Sequence, residues 1–239
     1  MKMQAYDNQR QEILGRLAQI SGAVDSIRFY LKNIYAVKRF SCATWTSRQH
    51  VIAAISSGKT TGFAECILSV NNPEAGLELF QKDAAILIGL SVGQAVLENR
   101  RHQGEWPEQL VEMLEMALVD LGGKLQEITA NRLLGLKESS PVCGVHVILS
   151  DRMDEVAEST QWARKAGKAA YIKVKLFGNV QLDCDVIRTV RRYCPPDETF
   201  LIGDVNCGYR PDEKSKVSLD MIAGQLEKLC EAGLNACED

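Results

Sequence analysis

Hydrophobic and polar positions alternate through residues 171–179 (YIKVKLFGN), which is typical of a strand with two different faces. One face carries apolar side chains alone: Ile172, Val174 and Leu176. Lys173 and Lys175 stand next to each other on the opposite face. An apolar face of this kind is usually covered by helices, so the lysines are expected to face a sheet or barrel interior that holds an anionic partner. The alternative is an edge strand with two solvated lysines.

A regular alternation of strands and helices surrounds this stretch from residue 141 to 239. The apolar runs VCGVHVIL, AYIKVKLF, TFLIGDVN and LNACED predict four strands. The segments MDEVAESTQWARKAG, LDCDVIRTVRRYC and SLDMIAGQLEKLCEAG predict the three helices between them. Strands separated by helices of this length indicate parallel βα units, either in a barrel or in an open doubly wound sheet.

The preceding part of the chain has a different pattern. Residues 7–23 have the spacing of an amphipathic helix or leader segment. The runs SIRFYLKNIYAVKRF, QHVIAAIS and FAECILSV predict a three-stranded antiparallel meander, with Gly58 and Gly62 marking the turn between the last two strands. The polar link of residues 41–48 (SCATWTSR) is predicted as a loop, either ordinary and solvated or able to reach a ligand.

Helices are predicted after the meander. One helical region is expected to run from Pro73 to about Arg101, and a second from Pro107 until Gly122–Gly123 stop it. We therefore predict three parts, listed by residue number: a helical leader (1–24), an α+β domain (25–140) and a partial (β/α) barrel domain with parallel strands (141–239).

Two carboxylates follow predicted strands of the last part, Asp204 in FLIGDVN and Glu238 in LNACED. Because the carboxyl ends of adjacent parallel strands meet on one face, these side chains are expected near the lysines. Alone, Asp204 could instead cap a turn or pair with a lysine. Carboxylate oxygens suit Mg²⁺, and a metal beside lysines suits removal of a proton alpha to a carboxylate with stabilisation of the enediolate.

Repulsion between the two lysines, together with burial, predicts lowered lysine pKa values, so that a neutral lysine acts as the base near pH 7. His146 in the first predicted strand either faces the same site or is an interior histidine with a satisfied hydrogen bond. Asn206 follows Asp204 on the same run.

Composition narrows the function classes. With 28 basic and 31 acidic residues and scattered charges, nothing indicates a nucleic-acid partner. No apolar run reaches the roughly 18 residues of a membrane span, and the start lacks the apolar region of a signal peptide, which predicts a cytosolic protein with no membrane partner. Eight cysteines without a CxxC pair predict reduced thiols. The run GKTTG does not complete a phosphate-binding P-loop.

Several segments, in this order, resemble the enolase superfamily in its mandelate racemase and muconate lactonizing enzyme branch. GFAE resembles the turn that closes the meander of the capping domain, and MALVDLGGKLQEITANRLLG resembles the family's helical stretch. YIKVK, GDVNCGY and ACED resemble the KxK strand, the D-x-N strand and the strand with the second metal ligand. The resemblance covers residues 26–239.

The resemblance implies roles for these residues. Lys175 would be the base, Lys173 would tune its pKa and contact the substrate carboxylate, Asp204 and Glu238 would bind Mg²⁺, and Asn206 would be a polar neighbour. The implied reaction is that of a Mg²⁺-dependent racemase, epimerase, cycloisomerase or dehydratase with a small carboxylate substrate, in a homo-oligomer.

Substrate specificity in the family comes from capping-domain loops. The matching positions are near residues 41–46, with Ser41 and Thr44 as candidate substrate-binding residues, and near residues 69–72.

The sequence departs from the family in length. Members carry a complete eight-stranded barrel, whereas this sequence reaches the fourth strand, so the third metal carboxylate and the base of the opposite face are not in it. LLGL replaces the usual LLGG, which does not touch the chemistry. A second hypothesis is therefore a truncated, non-catalytic relative that binds metal weakly or serves as an interaction module.

Overall fold

A computed structural model describes residues 11–39, 43–136, 144–206, 208–209 and 218–238. The chain divides into two compact units, one of Met1–Ala36 with Trp45–Ser140 and one of Val37–Thr44 with Pro141–Asp239. Each unit has its own hydrophobic core. Among the described residues, no helix combines the length and the apolar character needed to cross a bilayer.

The first unit starts with helix α1, over residues 11–18, and a three-stranded sheet. Its strands are β1 (Ser26–Arg39), β2 (Thr44–Ser57) and β3 (Thr60–Val70), in the order β1-β2-β3, although the end of β1 from Val37 and the first residue of β2 are grouped with the second unit. Strands β2 and β3 pair antiparallel around Gly58, whose φ of +57° lies in the left-handed region that glycine adopts readily. The predicted meander is confirmed.

Strand β2 begins earlier than the sequence predicts, so the prediction of a loop is wrong from Thr44 to Arg48. Threonine and tryptophan favour extended backbone, and here they continue the strand. Arg48 pairs with Val70 of β3, and its guanidinium lies 3.7 Å above the ring of Trp45. Ser41 lies outside the described residues.

Four further helices belong to the described part of the first unit. They are α2 (Glu78–Ala84), which continues into the 3₁₀ turn Ala85–Leu87, α3 (Val92–Arg101), α4 (Glu108–Leu125) and α5 (Ala130–Leu133). The prediction of one helical region from Pro73 to Arg101 is wrong, because helix α2 begins later and the chain leaves helix between the 3₁₀ turn and α3. Ser91 and Gln94 form a capping box that starts α3 anew.

The prediction that Gly122–Gly123 stop helix α4 is wrong, because the helix continues to Leu125. A Cβ atom on Gly122 would lie 2.6 Å from Cδ1 of Ile20, and one on Gly123 would lie 2.9 Å from the carbonyl oxygen of Ile128. The two glycines therefore permit close contact of α4 with residues outside the helix. The apolar face of α4 is fully buried in the core of this unit through Leu110, Leu114, Leu118 and Leu121.

Gly62 is also a packing residue. It lies in β3 and not in the turn, contrary to the prediction. A Cβ atom there would lie 2.2 Å from the carbonyl oxygen of Ala117 and 2.5 Å from the nitrogen of Leu121, both in α4. Beside it, the Phe63 N–H donates to Asp120 Oδ2 at 2.8 Å. The missing side chain at Gly62 thus lets strand β3 contact the backbone of α4.

The second unit contains a four-stranded parallel sheet in the order β4-β5-β6-β7. The strands are β4 (His146–Ile148), β5 (Tyr171–Lys175), β6 (Phe200–Asp204) and β7 (Ala236–Glu238). Helices α6 (Met153–Lys165), α7 (Val180–Tyr193) and α8 (Leu219–Glu231) alternate with them. The predicted fold class, an α+β unit followed by parallel βα units, is confirmed.

The two faces of the parallel sheet differ as the alternation in β5 predicts. One face packs against the unit's apolar core, where Ile172, Val174 and Leu201 are fully buried. The opposite face carries Lys173 and Lys175. On that face, three large apolar side chains of the described residues keep 41–45% of their surface exposed: Val147, Tyr171 and Phe200.

We predict that Gly62→Ala destabilises the first unit, because the new methyl group must displace the backbone of α4. The expected loss in unfolding free energy is about 1–3 kcal/mol, measured by urea unfolding. Gly15→Ala is the control, since a Cβ atom there meets nothing within 4 Å. That change in α1 is expected to be neutral or to stabilise by up to about 1 kcal/mol; equal losses in both variants would contradict the packing role.

Cys66 in β3 provides a prediction for pH dependence. Burial, followed by the charges of Glu65 and Glu112, raises the pKa of its thiol to about 11. Alkylation by iodoacetamide requires the thiolate, so its rate at Cys66 should rise with pH by about tenfold per unit between pH 8 and 10. Peptide mass spectrometry measures the rate, with exposed Cys230 as internal reference. A plateau at Cys66 below pH 9 would disprove the raised pKa.

Candidate functional site

The register of the parallel sheet brings the predicted charged residues together. Lys175, Asp204 and Glu238 occupy the same level on β5, β6 and β7. Neighbouring strands lie about 4.8 Å apart, and side chains at one level of a parallel sheet point to the same face. Lys173, two positions before Lys175, shares that face. These four side chains form the candidate site, at the carboxyl ends of three adjacent strands.

Lys175 and Asp204 form a buried ion pair. The Lys175 Nζ donates to Asp204 Oδ2 at 2.8 Å, and the two residues are 6% and 8% exposed. Lys173 Nζ lies 3.6 Å from the same oxygen. The anionic partner predicted for the lysines is therefore present. Loss of Asp204 would leave the buried Lys175 ammonium group without this partner, which is strongly destabilising.

Lys173 pairs mainly with Glu238 at the more open side of the site. Its Nζ lies 3.1 Å and 3.3 Å from the two carboxylate oxygens. The side chain of Glu238 is 52% exposed and that of Lys173 is 25% exposed. The hydrogen bond to Glu238, together with the charges of Glu238 and Asp204, outweighs desolvation and raises the pKa of Lys173. The prediction of a lowered pKa is therefore wrong for Lys173.

The site offers two carboxylates to a metal ion. Asp204 and Glu238 supply hard oxygen donors of the type that Mg²⁺ prefers, and they face the same space. Both accept contacts from the lysines, which a cation would have to replace. Within the described ranges, no group of three or more His, Cys, Asp or Glu residues is close enough to form a metal site. The donor chemistry of these two carboxylates fits Mg²⁺.

The other predicted candidates lie elsewhere or stay untested. His146 is level with Ile172, on the face opposite to the lysines, and its Nε2 lies 2.9 Å from Ser159 Oγ. It is half-buried with a hydrogen-bond partner, so the predicted hydrogen bond is present although the residue is not fully interior, and the alternative that it faces the site is wrong. Thr44 is the first residue of β2, and substrate binding by Thr44 and Ser41 stays a prediction. Asn206 follows β6 with a left-handed φ of +38°.

Sequence reasoning missed Asp183 and Tyr209. Asp183, in the first turn of α7, is fully buried, and it accepts hydrogen bonds from the loop that follows Lys175 and from the Tyr209 hydroxyl. The sequence feature that could have identified Asp183 is an acidic residue shortly after the glycine of LFGN. Many helices exposed to solvent also have an acidic residue in the first turn, so the feature is not specific.

Solved structures with the same fold include three enzymes. A dipeptide epimerase from Cytophaga hutchinsonii, complexed with Mg and the dipeptide D-Ala-L-Val, is 19% identical, with a TM-score of 0.66 over 90% of this chain and 58% of that chain. An enolase from Bradyrhizobium, complexed with magnesium and mandelic acid, is 17% identical, with a TM-score of 0.70 over 92% and 61%. A muconate lactonizing enzyme from Pseudomonas fluorescens, complexed with muconolactone, is 17% identical, with a TM-score of 0.70 over 91% and 60%.

At these identities, the similarity establishes the fold. The resemblance to enolase-superfamily structures that the sequence motifs indicate is thus confirmed at the level of fold. The chain spans about three fifths of the length of these structures. No protein-family model and no curated protein matches it.

The coupling between Lys175 and Asp204 gives a stability prediction. We expect Asp204→Asn to reduce the unfolding free energy by about 3–5 kcal/mol, since it leaves the buried Lys175 ammonium group without this partner. Lys175→Met should cost less, because Lys173 Nζ still lies 3.6 Å from Asp204. The double variant should lose less than the sum, with a coupling of about 0.5–3 kcal/mol. Urea unfolding measures all three variants.

Lys173→Met is the control for this cycle. Its pair with Glu238 is more exposed, and exposed pairs contribute about 0–1 kcal/mol. Losses that add without coupling for Lys175 and Asp204 would show that their hydrogen bond does not stabilise the sheet.

Proposed function

We propose that this chain is the capping and half-barrel part of a Mg²⁺-dependent enzyme that begins its reaction by removing the proton alpha to the carboxylate of a small substrate. The observation that carries the proposal is the convergence of Lys173, Lys175, Asp204 and Glu238 on one face of the parallel sheet. The fold of epimerases and lactonizing enzymes supports it. Racemisation, epimerisation, cycloisomerisation and dehydration all share this first step.

Lys175 is the proposed base. Its ammonium group stands at the carboxyl end of β5, almost fully enclosed, and its contact with Asp204 fixes the direction of the side chain. A fixed side chain loses little entropy when it meets a substrate proton. To accept that proton, Lys175 must first give up its own, so exchange of its contact with Asp204 would accompany activation.

Lys173 is the proposed group for the substrate carboxylate. Its side chain is more exposed than that of Lys175 and lies on the same face, two positions nearer the start of the strand. A cation at this place binds the carboxylate next to the carbon that loses its proton. Lys173 thereby orients the substrate toward Lys175.

Asp204 and Glu238 would hold the Mg²⁺. The metal would supply positive charge where negative charge develops on the substrate carboxylate. The apolar side chains of Val147, Tyr171 and Phe200 lie on the same face, and once covered they would exclude water from the inner side of the site, which strengthens each charge interaction.

The test combines Mg²⁺ titration with proton exchange. Isothermal titration calorimetry with Mg²⁺ is expected to show one site in this chain, and Asp204→Asn should weaken it by at least about tenfold. In D₂O with Mg²⁺, loss of the α-proton signal is followed by NMR for a dipeptide, mandelate and muconolactone. We expect exchange with at least one of them, reduced by about 10²-fold or more in Lys175→Ala.

Lys165→Ala in the exposed part of α6 is the matched control, and it should leave both measurements unchanged. Exchange that persists in Lys175→Ala excludes this lysine as the base. Absence of both Mg²⁺ binding and exchange in the parent chain contradicts the proposal.

A non-catalytic interaction module is the second candidate function. The observation that favours it is the mutual neutralisation of the two lysines and two carboxylates in the described part of the second unit. Such a module would bind Mg²⁺ weakly or not at all, and the calorimetric titration separates the two functions.

Self-association and a cytosolic location remain predictions. Sedimentation velocity at two protein concentrations tests the first, and a monomer at both would contradict it. Fractionation of the producing cells tests the second.

A further inference from the structure

Asp183 is a buried carboxylate to which the proposed chemistry assigns no role. It is 0% exposed and lies in the first turn of α7. Its Oδ1 accepts the Phe177 N–H at 2.8 Å, and its Oδ2 accepts the Gly178 N–H at 3.0 Å and the Tyr209 hydroxyl at 2.6 Å. Burial raises the pKa of Asp183, while these donors act in the opposite direction.

These three donors come from two different loops of the site. Phe177 and Gly178 belong to the loop that directly follows Lys175 at the end of β5. Tyr209 belongs to the segment that follows Asp204 at the end of β6, and it is 8% exposed. One carboxylate thus joins the loops behind both members of the buried ion pair.

The two loops also touch directly. Gly178 has a left-handed φ of +74°, and a Cβ atom there would lie 2.8 Å from the carbonyl oxygen of Gly208. The Leu176 N–H donates to the carbonyl oxygen of Asp204 at 2.9 Å, which continues the ladder beyond the strand end. A movement of the loop after β5 would therefore shift the backbone that carries Lys175 and Asp204.

Capping of helix α7 does not account for Asp183. Asn179 already caps this helix, since its side chain accepts the N–H groups of Gln181 and Leu182. Burial of an ionised carboxylate is costly unless it is hydrogen-bonded. The three donors meet that cost while joining two loops, and a neutral side chain would accept fewer of these bonds.

We propose that Asp183 and Tyr209 are positioning residues, which fix the two loops so that Lys175 and Asp204 keep the geometry for metal binding and proton removal. The part that concerns metal binding rests on the proposed function. The part that concerns the geometry of the Lys175 and Asp204 pair stands on the hydrogen bonds alone.

Tyr209→Phe is the sharpest test, because it removes a single hydroxyl group. We expect amide hydrogen exchange at Phe177 and Gly178 to become about tenfold faster. The dissociation constant for Mg²⁺ should rise by at least about threefold. The ¹⁵N chemical shift of Lys175 Nζ should change as well, which reports on its contact with Asp204.

Thr160→Val is the matched control. It removes a buried hydroxyl of the same unit that donates to the carbonyl oxygen of Val156 at 2.7 Å, away from both loops. We expect a comparable loss of global stability in urea, with unchanged Mg²⁺ affinity and an unchanged Lys175 shift. Asp183→Asn loses the negative charge and at least one of the three hydrogen bonds, so its effects on Mg²⁺ affinity and on the Lys175 shift should be at least as large as those of Tyr209→Phe. It is the second variant for the same measurements.

The outcomes separate the two proposals. Unchanged Mg²⁺ affinity and an unchanged Lys175 shift in Tyr209→Phe, despite faster amide exchange, would overturn the positioning role and leave a structural one. If the parent chain shows neither Mg²⁺ binding nor proton exchange, the proposed function fails. The Lys175 shift then decides the positioning role alone, and a change in it as large in Thr160→Val as in Tyr209→Phe would also overturn that role.

Discussion

The ammonium group of Lys175 is the constraint on which the second unit depends. A cation with 6% exposure needs a charged partner at hydrogen-bond distance, and that partner is Asp204 on the next strand. The requirement determines which strand lies beside β5 and at which level. A slip of β6 by one residue would turn Asp204 toward the helices, where Val174 and Leu201 are buried.

The same arrangement explains why the pKa prediction failed. The sequence places the two lysines next to each other on one face and therefore predicts that they repel each other. In the structure, carboxylate oxygens of Glu238 and Asp204 lie 3.1 Å and 3.6 Å from Lys173 Nζ. The direction of a pKa shift depends on which charges lie closest to the group. For Lys173 these are carboxylates on other strands, and their distances are set by the register between strands that are far apart in sequence.

Alternation and spacing predicted the features that depend on local pattern. The two faces of β5 and the parallel βα units follow from periods that the chain itself displays. The predictions of a turn at Gly62 and of a helix end at Gly122 were wrong, because a glycine in the sequence can mark either a turn or a close contact with another element. Asp183 was missed for a related reason: its partners Phe177 and Tyr209 converge only after folding, and an acidic residue in a first helical turn is common in solvated helices.

Chemistry and packing share one face of the parallel sheet. The side chains of Val147, Tyr171 and Phe200 lie on the face of the lysines and are nearly half exposed. Apolar surface of this kind gains about 25 cal/mol per Å² when it is covered. Because residue parity places the charged and apolar groups on one face, whatever covers the apolar side chains also removes water from around Lys173, which is level with Val147 and only partly buried. Stability of the sheet and the strength of the site's electrostatic interactions are therefore expected to increase together.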